Sequence, residues 1–412
     1  MKLLVVSNGH GEDTIAVKII EQLQFVAPQV EVYSLPMVGE GFAYQRANIP
    51  IISPVKTMPS GGFVYMDNKQ LWGDVKQGLI DLIWEQYKVV RQWGKEGAKI
   101  LAVGDILPLL FAWLSGADYG FVGTAKSEYY IRDEYKWLDH GSKLDRLLGS
   151  VYYPWERWLM RCDRCMAVFP RDTITAKTLQ GYGINAFDVG NPMMDGIGDH
   201  CLPDGEDNYA GYLKVLLLPG SRMPEALDNW RLILTALDSL SSLSEYRFLF
   251  ISAIAPSLNI EKFTAMLDSQ WHLKKDGENP RKIRDQEMIK FSTKNSTLIV
   301  SQNAYGDCLH YADLAIAMAG TATEQFVGLG KSAIAIVGKG PQYNRKFARN
   351  QTYLLGESVQ LIDTPEEIQG KLKQLVQNRD HWHKIATNGQ KRMGKSGASP
   401  KIAHHLVEKL IN

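Results

Sequence analysis

The sequence carries no excess of either charge. Its 412 residues hold 46 Lys and Arg against 45 Asp and Glu, so the bulk basic footprint of a nucleic-acid binder is missing. Cysteine is scarce: four residues make no disulfide framework. The lone C-x-x-C of Cys162 and Cys165 has no second pair and no histidines at ligand spacing nearby. It also precedes an apolar run, whereas a redox motif opens a helix after a strand, so two reduced, partly buried thiols are expected. No apolar run is long enough to span a bilayer. The longest, 100–114, is interrupted by Gly104, Asp105 and Pro108. Lys2 is followed by only four apolar residues before Ser7-Asn8-Gly9, which predicts a first strand rather than a secretory leader. The expected location is cytoplasmic or peripheral at the inner face of a membrane, where the sequon Asn295-Ser296-Thr297 has no meaning. Internal repeats, low-complexity tracts and an Asp-x-Asp metal motif are also missing.

What is present is a pair of glycine turns 100 residues apart. The first follows Val215-Leu216-Leu217-Leu218 as Pro219-Gly220-Ser221-Arg222, with Glu225 close behind. The second follows Leu314-Ala315-Ile316-Ala317 as Gly320-Thr321-Ala322-Thr323-Glu324-Gln325. Each is an apolar run that stops at Gly and a hydroxyl residue and then turns helical. Free N–H groups and the helix dipole make such a terminus an anion site. Two of them in one α/β domain suit the diphosphate and ribose of a nucleotide-sugar. Gly220 and Ser221 are expected at the donor phosphates, with Arg222 adding charge at the leaving diphosphate. Gly320, Thr321, Ala322 and Thr323 are expected to cap a helix facing the same group, with Glu324 or Gln325 reaching the ribose.

At this length two domains are the default. Alternating apolar runs and helical periods predict doubly wound parallel sheets. Strands are expected at 2–7, 31–35, 99–103, 119–122, 166–169 and 187–190, then at 214–218, 247–252, 297–300, 313–317 and 333–337. Helices are expected at 13–24, 79–93, from 108, and at 400–411. Residues 36–70 read as a long functional loop, 272–294 as a charged surface insertion, and 191–212 as the linker. The expected division is 1–195 for an acceptor domain and 196–395 for a donor domain, with a final helix, 396–412, packing back on the first.

The turn after the first strand is Asn8-Gly9-His10-Gly11-Glu12-Asp13. Glycines flanking His10 allow close ligand approach, so His10 is a candidate base or phosphate contact. Glu12 and Asp13 are alternatives that also suit helix capping. Asp105 ends the third strand and is the second candidate base, or a helix N-cap. The aromatic and basic stretch 129–160 suits either an acyl acceptor at a membrane face or an ordinary buried core. Glu128, just before it, and Arg132 and Asp133 within it are candidate ion-pair partners or simply solvated. Lys339 to Asn344 is a further turn at which base or sugar contacts are conceivable.

Three blocks together resemble lipid-A-disaccharide synthase, a glycosyltransferase of the GT-B fold. They are Leu217-Leu218-Pro219-Gly220-Ser221-Arg222 with Glu225, Gly320-Thr321-Ala322-Thr323, and Val189-Gly190-Asn191-Pro192-Met193-Met194-Asp195, in which Asn191 stands where the family has His. Gln325 occupies the family's ribose Glu position, and Glu324 precedes it. The Gly9-His10 pair is similar to the glycine-rich loops of the murein glycosyltransferase and the galactolipid synthases. The resemblance implies a GT-B fold and inverting transfer from a UDP-sugar to a lipid-linked or sugar acceptor, as in lipid A-type glycolipid synthesis. Helix termini and Arg222 would stabilise the departing diphosphate, with no metal or other cofactor required. An epimerase acting on UDP-N-acetylglucosamine and a non-catalytic nucleotide-sugar binder are the alternatives.

Overall fold

The computed structural model describes residues 1–9, 11–54, 79–139, 143–198, 200–274, 280–377 and 379–411. The chain divides into two compact units, Met1–Asp195 with Gly394–Asn412 and Gly196–Met393.

The first unit is built on five parallel strands, β1 (Lys2–Ser7), β2 (Glu31–Pro36), β3 (Lys99–Gly104), β4 (Tyr119–Gly123) and β5 (Cys165–Pro170), in the order β2-β1-β3-β4-β5. Its helices are α1 (Gly11–Val26), α2 (Phe42–Arg46), α3 (Leu79–Lys95), α4 (Ile106–Ser115), α5 (Lys143–Leu148), α6 (Pro154–Met160) and α7 (Thr173–Gly181). The continuous apolar run of β1 exists because both faces of the sheet are covered. Leu3 and Val5 pack with Ile15, Ile19 and Leu23 of α1, whereas Leu4 and Val6 pack with Val90 of α3 and Leu109 and Ala112 of α4. That is the two-residue alternation of a strand between two helical layers.

Order reverses between β1 and β3, since β2 lies on one side of β1 and every later strand on the other. Ligands of such sheets bind outside the carboxyl ends at this reversal. Residues 187–190 do not form the expected sixth strand. Phe187 N–H still bonds Val168 O, but Gly190 then takes φ +98° and a Cβ on it would sit 2.7 Å from Lys395 O. The chain leaves the sheet to run beside its own returning segment.

The described residues of the second unit form an eight-stranded sheet, β6 (Leu213–Leu218), β7 (Phe248–Ala253), β8 (His272–Leu273), β9 (Ile289–Ser292), β10 (Ser296–Ser301), β11 (Leu314–Ala317), β12 (Ser332–Ile336) and β13 (Val359–Ile362), in the order β13-β12-β11-β6-β7-β10-β9-β8. Its helices are α8 (Glu225–Ser241), α9 (Ile260–Thr264), α10 (Tyr305–Tyr311), α11 (Thr321–Gly328), α12 (Arg345–Leu355), α13 (Ile368–Val376) and α14 (Arg379–Met393). The expected surface insertion at 272–294 instead supplies β8 and β9, which extend the sheet antiparallel from β10. Lys290 is buried within β9, so the charges that made this stretch look solvated do not mark a loop. Here order reverses between β6 and β11, the two strands that carry the glycine turns.

The last helix, α15 (Ala398–Leu406), returns to the first unit. Asp195 accepts the N–H groups of Gly397, Ala398 and Ser399 at its start. Ile402, Ala403, Leu406 and Leu410 join the core that holds Ile15 and Ile19.

Candidate functional site

In the second unit β6 and β11 pair with Leu218 opposite Ala317, so their glycine turns leave the sheet side by side. Met318 N–H bonds Leu218 O at 2.8 Å. Gly220 has φ +96°, a left-handed value that favours glycine. Buried Asn229 of α8 fastens the two turns: its Nδ2 donates to Pro219 O at 3.0 Å and to Met318 O at 3.3 Å. On the far side, Gln351 of α12 donates to Ala319 O and Gly320 O at 3.1 and 3.2 Å. The carbonyls around the second turn are thereby occupied. The first intrahelical bond of α11 is Glu324 N–H to Gly320 O, so the N–H groups of Thr321, Ala322 and Thr323 belong to the unbonded first turn of that helix.

The expected donor residues divide by what their side chains do. Ser221, Arg222 and Thr321 are exposed around these turns. Thr323 is fully buried and its hydroxyl donates to Ala319 O at 2.6 Å, so its side chain braces the turn from within. Glu225 is also turned inward: its Oε1 accepts Gln342 N–H at 3.1 Å and Tyr343 N–H at 2.6 Å. It holds the loop after β12. Gln325 accepts the Tyr305 hydroxyl through Oε1 at 2.7 Å, and burial pushes that phenol well up from its ordinary value. The half-buried Glu324 lies one position earlier on α11.

The helix after Gly220 starts later than expected. It opens at Glu225, with Ser221 to Pro224 as a turn before it. Pro224 disfavours the helical region for Met223, and this delay sets Glu225 and Asn229 one helical turn apart on the same inner face of α8. That i, i+4 spacing of polar residues on the otherwise apolar face of Ala226, Trp230, Ile233, Ala236 and Leu237 is the signal that would have found Asn229. Gln351 and Tyr305 are further residues of the site that carry no comparable mark in the sequence.

In the first unit, the loops after β1 and β3 meet at the order reversal. Asn8 Oδ1 accepts the Asp105 N–H at 3.1 Å, and a Cβ at Gly104 would come 2.1 Å from that oxygen. Gly104, at φ +138°, is therefore needed for the two loops to touch. Gly9 is similarly tight: its Cβ would meet Val38 O at 2.3 Å. Asp105 Oδ1 accepts Leu107 N–H at 3.0 Å and caps α4. Gly11 opens α1, and Glu12 accepts the Thr124 hydroxyl at 3.3 Å. Asp13 is inward: Ser7 Oγ donates to it at 2.6 Å and lies 2.6 Å from the Tyr44 hydroxyl. Burial, with Asp13 adding to it, pushes the Tyr44 phenol up. His10 lies outside the described residues.

Other expected features resolve plainly. All four cysteines are free thiols, and burial pushes Cys165 and Cys308 up to about 12. Glu128 is not solvated: it is fully buried, bonded by Val151 N–H and 2.8 Å from Arg132 Nε. The aromatic stretch divides, with Tyr129 and Tyr152 buried but Tyr135, Trp155 and Trp158 exposed. No helix of the described residues is long and apolar enough to cross a membrane.

No protein-family profile matches the sequence, and no curated protein matches it either. Solved structures do. MnaA of S. aureus, solved with UDP, aligns with a TM-score of 0.59 at 11% identity over 100% of this chain and 97% of its own. UDP-GlcNAc 2-epimerase of Neisseria meningitidis, bound to UDP-GlcNAc, gives 0.55 at 14% over 99% and 100%. MurG of Acinetobacter baumannii gives 0.54 at 13% over 99% of each. At these identities the likeness is one of fold: two Rossmann-like parallel-sheet domains of the GT-B type.

Proposed function

We propose that this protein is a glycosyltransferase that takes a UDP-sugar at the order reversal of the second unit and passes the sugar to a lipid-linked or sugar acceptor with inversion. The observation that carries the reading is the fastening of two glycine turns by one buried amide, Asn229, beside the unbonded first turn of α11. A diphosphate is the ligand chemistry that such a pair of turns suits. Ser221, Arg222 and Thr321 stand exposed around it, and Gln325 on α11 is the ribose candidate. A lipid acceptor is supported by the three motif blocks that resemble those of lipid-A-disaccharide synthase and by exposed Leu147, Trp155 and Trp158, which suit contact with a membrane face. In the transfer, the acceptor hydroxyl oxygen attacks the anomeric carbon while the bond from that carbon to the diphosphate oxygen breaks. His10 or Asp105 takes the hydroxyl proton, and UDP leaves carrying the bonding pair. With Asp105 Oδ1 on Leu107 N–H, Oδ2 is its proton-accepting oxygen.

A second reading stands beside this one because solved neighbours include UDP-GlcNAc 2-epimerases. In that case the same donor site serves a reaction that needs no acceptor.

Thermal stabilisation by UDP, ADP, GDP and dTDP tests the donor site, since a ligand of the native state raises its melting point. A selective shift with UDP is expected, lost in Gly320→Val and Arg222→Ala with the fold retained. Equal shifts in both variants and the parent would remove these residues from the site. Release of UDP from UDP-GlcNAc without acceptor would select the epimerase reading, and release only with an acceptor the transferase.

A further inference from the structure

The geometry points to Glu225 as a positioning residue whose carboxylate locks the loop after β12 to the start of α8, and so sets the affinity of the second unit for its nucleotide. This rests on the nucleotide-sugar reading above.

Glu225 is 7% exposed. One of its oxygens accepts two consecutive backbone N–H groups, those of Gln342 and Tyr343. A carboxylate accepting backbone N–H groups forms charge-assisted bonds, stronger than neutral ones. The loop is shaped to lie on it. A Cβ on Gly340 would come 1.8 Å from that oxygen and 2.5 Å from Glu225 Cγ, so only glycine admits the carboxylate. The rest of the loop is closed on itself: Lys339 bridges Asn344, and a Cβ on Gly338 would meet Tyr343 O at 2.3 Å. Its far end is tied to neighbouring elements. Tyr343 donates its hydroxyl to Ala317 O at 3.2 Å, just before the second glycine turn, and Asn344 caps α12 through Phe347 N–H at 3.0 Å.

Glu225 is also four residues from Asn229, which fastens the glycine turns. One inner face of α8 therefore fixes three loops, those following β6, β11 and β12, which are consecutive strands of the sheet. A loop held in place before the ligand arrives loses less freedom on binding. Removing the carboxylate leaves two N–H groups without their acceptor and frees the loop that presents exposed Lys339 and Pro341.

The test is calorimetric titration of the full-length protein with UDP, with ADP, GDP and dTDP run in parallel. Glu225→Ala is expected to raise Kd for UDP about tenfold, and Glu225→Gln, which keeps an acceptor oxygen, to stay within about twofold of the parent. Gly340→Ala should weaken binding like Glu225→Ala. The double variant should be no worse than either alone, because with Glu225 cut back the added methyl has room. Leu240→Ala, in the core end of α8, separates stability from positioning: it should lower the melting point and leave Kd unchanged. Parent-like Kd in Glu225→Ala would overturn the lock, as would additive losses in the double variant. Binding of a different nucleotide by the parent would correct the donor and leave the lock to be read with that ligand. No binding of any nucleotide by the parent would overturn the donor-site reading itself, and the lock with it.

Discussion

Asn229 satisfies two carbonyls with a single amide group, and the two carbonyls belong to different glycine turns. Replacing it by Ala leaves Pro219 O and Met318 O without that donor, which costs about 1–3 kcal/mol for buried groups. Asn229→Asp should cost more at pH 7, since it sets a buried negative charge against two carbonyl oxygens. The sign with pH follows. A buried carboxyl has its pKa raised in the folded state, so the native protein binds the proton more readily than the unfolded chain, and stability rises as pH falls. Urea unfolding at pH 7 and pH 4.5 checks this: Asn229→Asp should recover towards Asn229→Ala in acid, and a deficit that does not shrink would mean the side chain has turned to solvent. At this scale the sequence is legible only in part. Gly220 was readable because a glycine that ends an apolar run marks a turn, and it takes a φ of +96° there. Thr323 and Glu225 were not, because residue type does not say whether a side chain points at a ligand or back into its own loop. Thr323 bonds Ala319 O and Glu225 holds residues 342–343, contacts fixed by packing rather than by spacing.

At the scale of elements, parallel strands were the easiest to read, because strands buried on both faces appear as unbroken apolar runs. β1, β3, β6, β10, β11 and β12 all fall within one or two residues of their expected spans. Helix starts and short edge strands were harder. The start of α8 is delayed by Pro224, and β8 and β9 are short, with the charged Lys290 buried in β9, so neither shows a clean alternation. Short helices also depend on distant residues. The helix α10 has seven residues, too few to be stable by propensity alone. Lys331, beyond α11, closes its end: Nζ donates to Leu309 O and His310 O at 2.9 and 2.6 Å and to Ala312 O at 2.6 Å. A cation at a helix C-terminus is favourable through both the dipole and these bonds. Lys331→Met keeps the apolar stem and removes the ammonium, and should cost about 2–3 kcal/mol in chemical denaturation. A loss below about 0.5 kcal/mol would show that water replaces the lysine at these carbonyls.

The whole molecule shows why a chain this long folds as two sheets and yet does not divide at one point. The first unit is made from two segments that are far apart in sequence, Met1–Asp195 and Gly394–Asn412. Asp195, the end of the first, caps the helix in the second by accepting three of its N–H groups. The block from Val189 to Asp195 thus has a mechanical use in this chain: Asn191 N–H bonds Lys395 O, and Asp195 receives the start of α15. The sequence showed an amphipathic last helix, but nothing in its period says which apolar face it covers. That face belongs to α1. Ile402, Leu406 and Leu410 are almost fully buried with Ile15, Ile19 and Leu23, and burying three such side chains contributes roughly 5–9 kcal/mol. A domain's whole stability is about 5–15 kcal/mol, so a chain ending at Met393 should lose most of what holds its first unit. Hydrogen exchange on that truncated protein reads the two units separately. Amides of β1, α1 and β3 are expected to lose protection, while those of β6 and β11 keep it. Undiminished protection in α1 would mean that the face covered by α15 contributes little, and that the returning helix serves something other than stability.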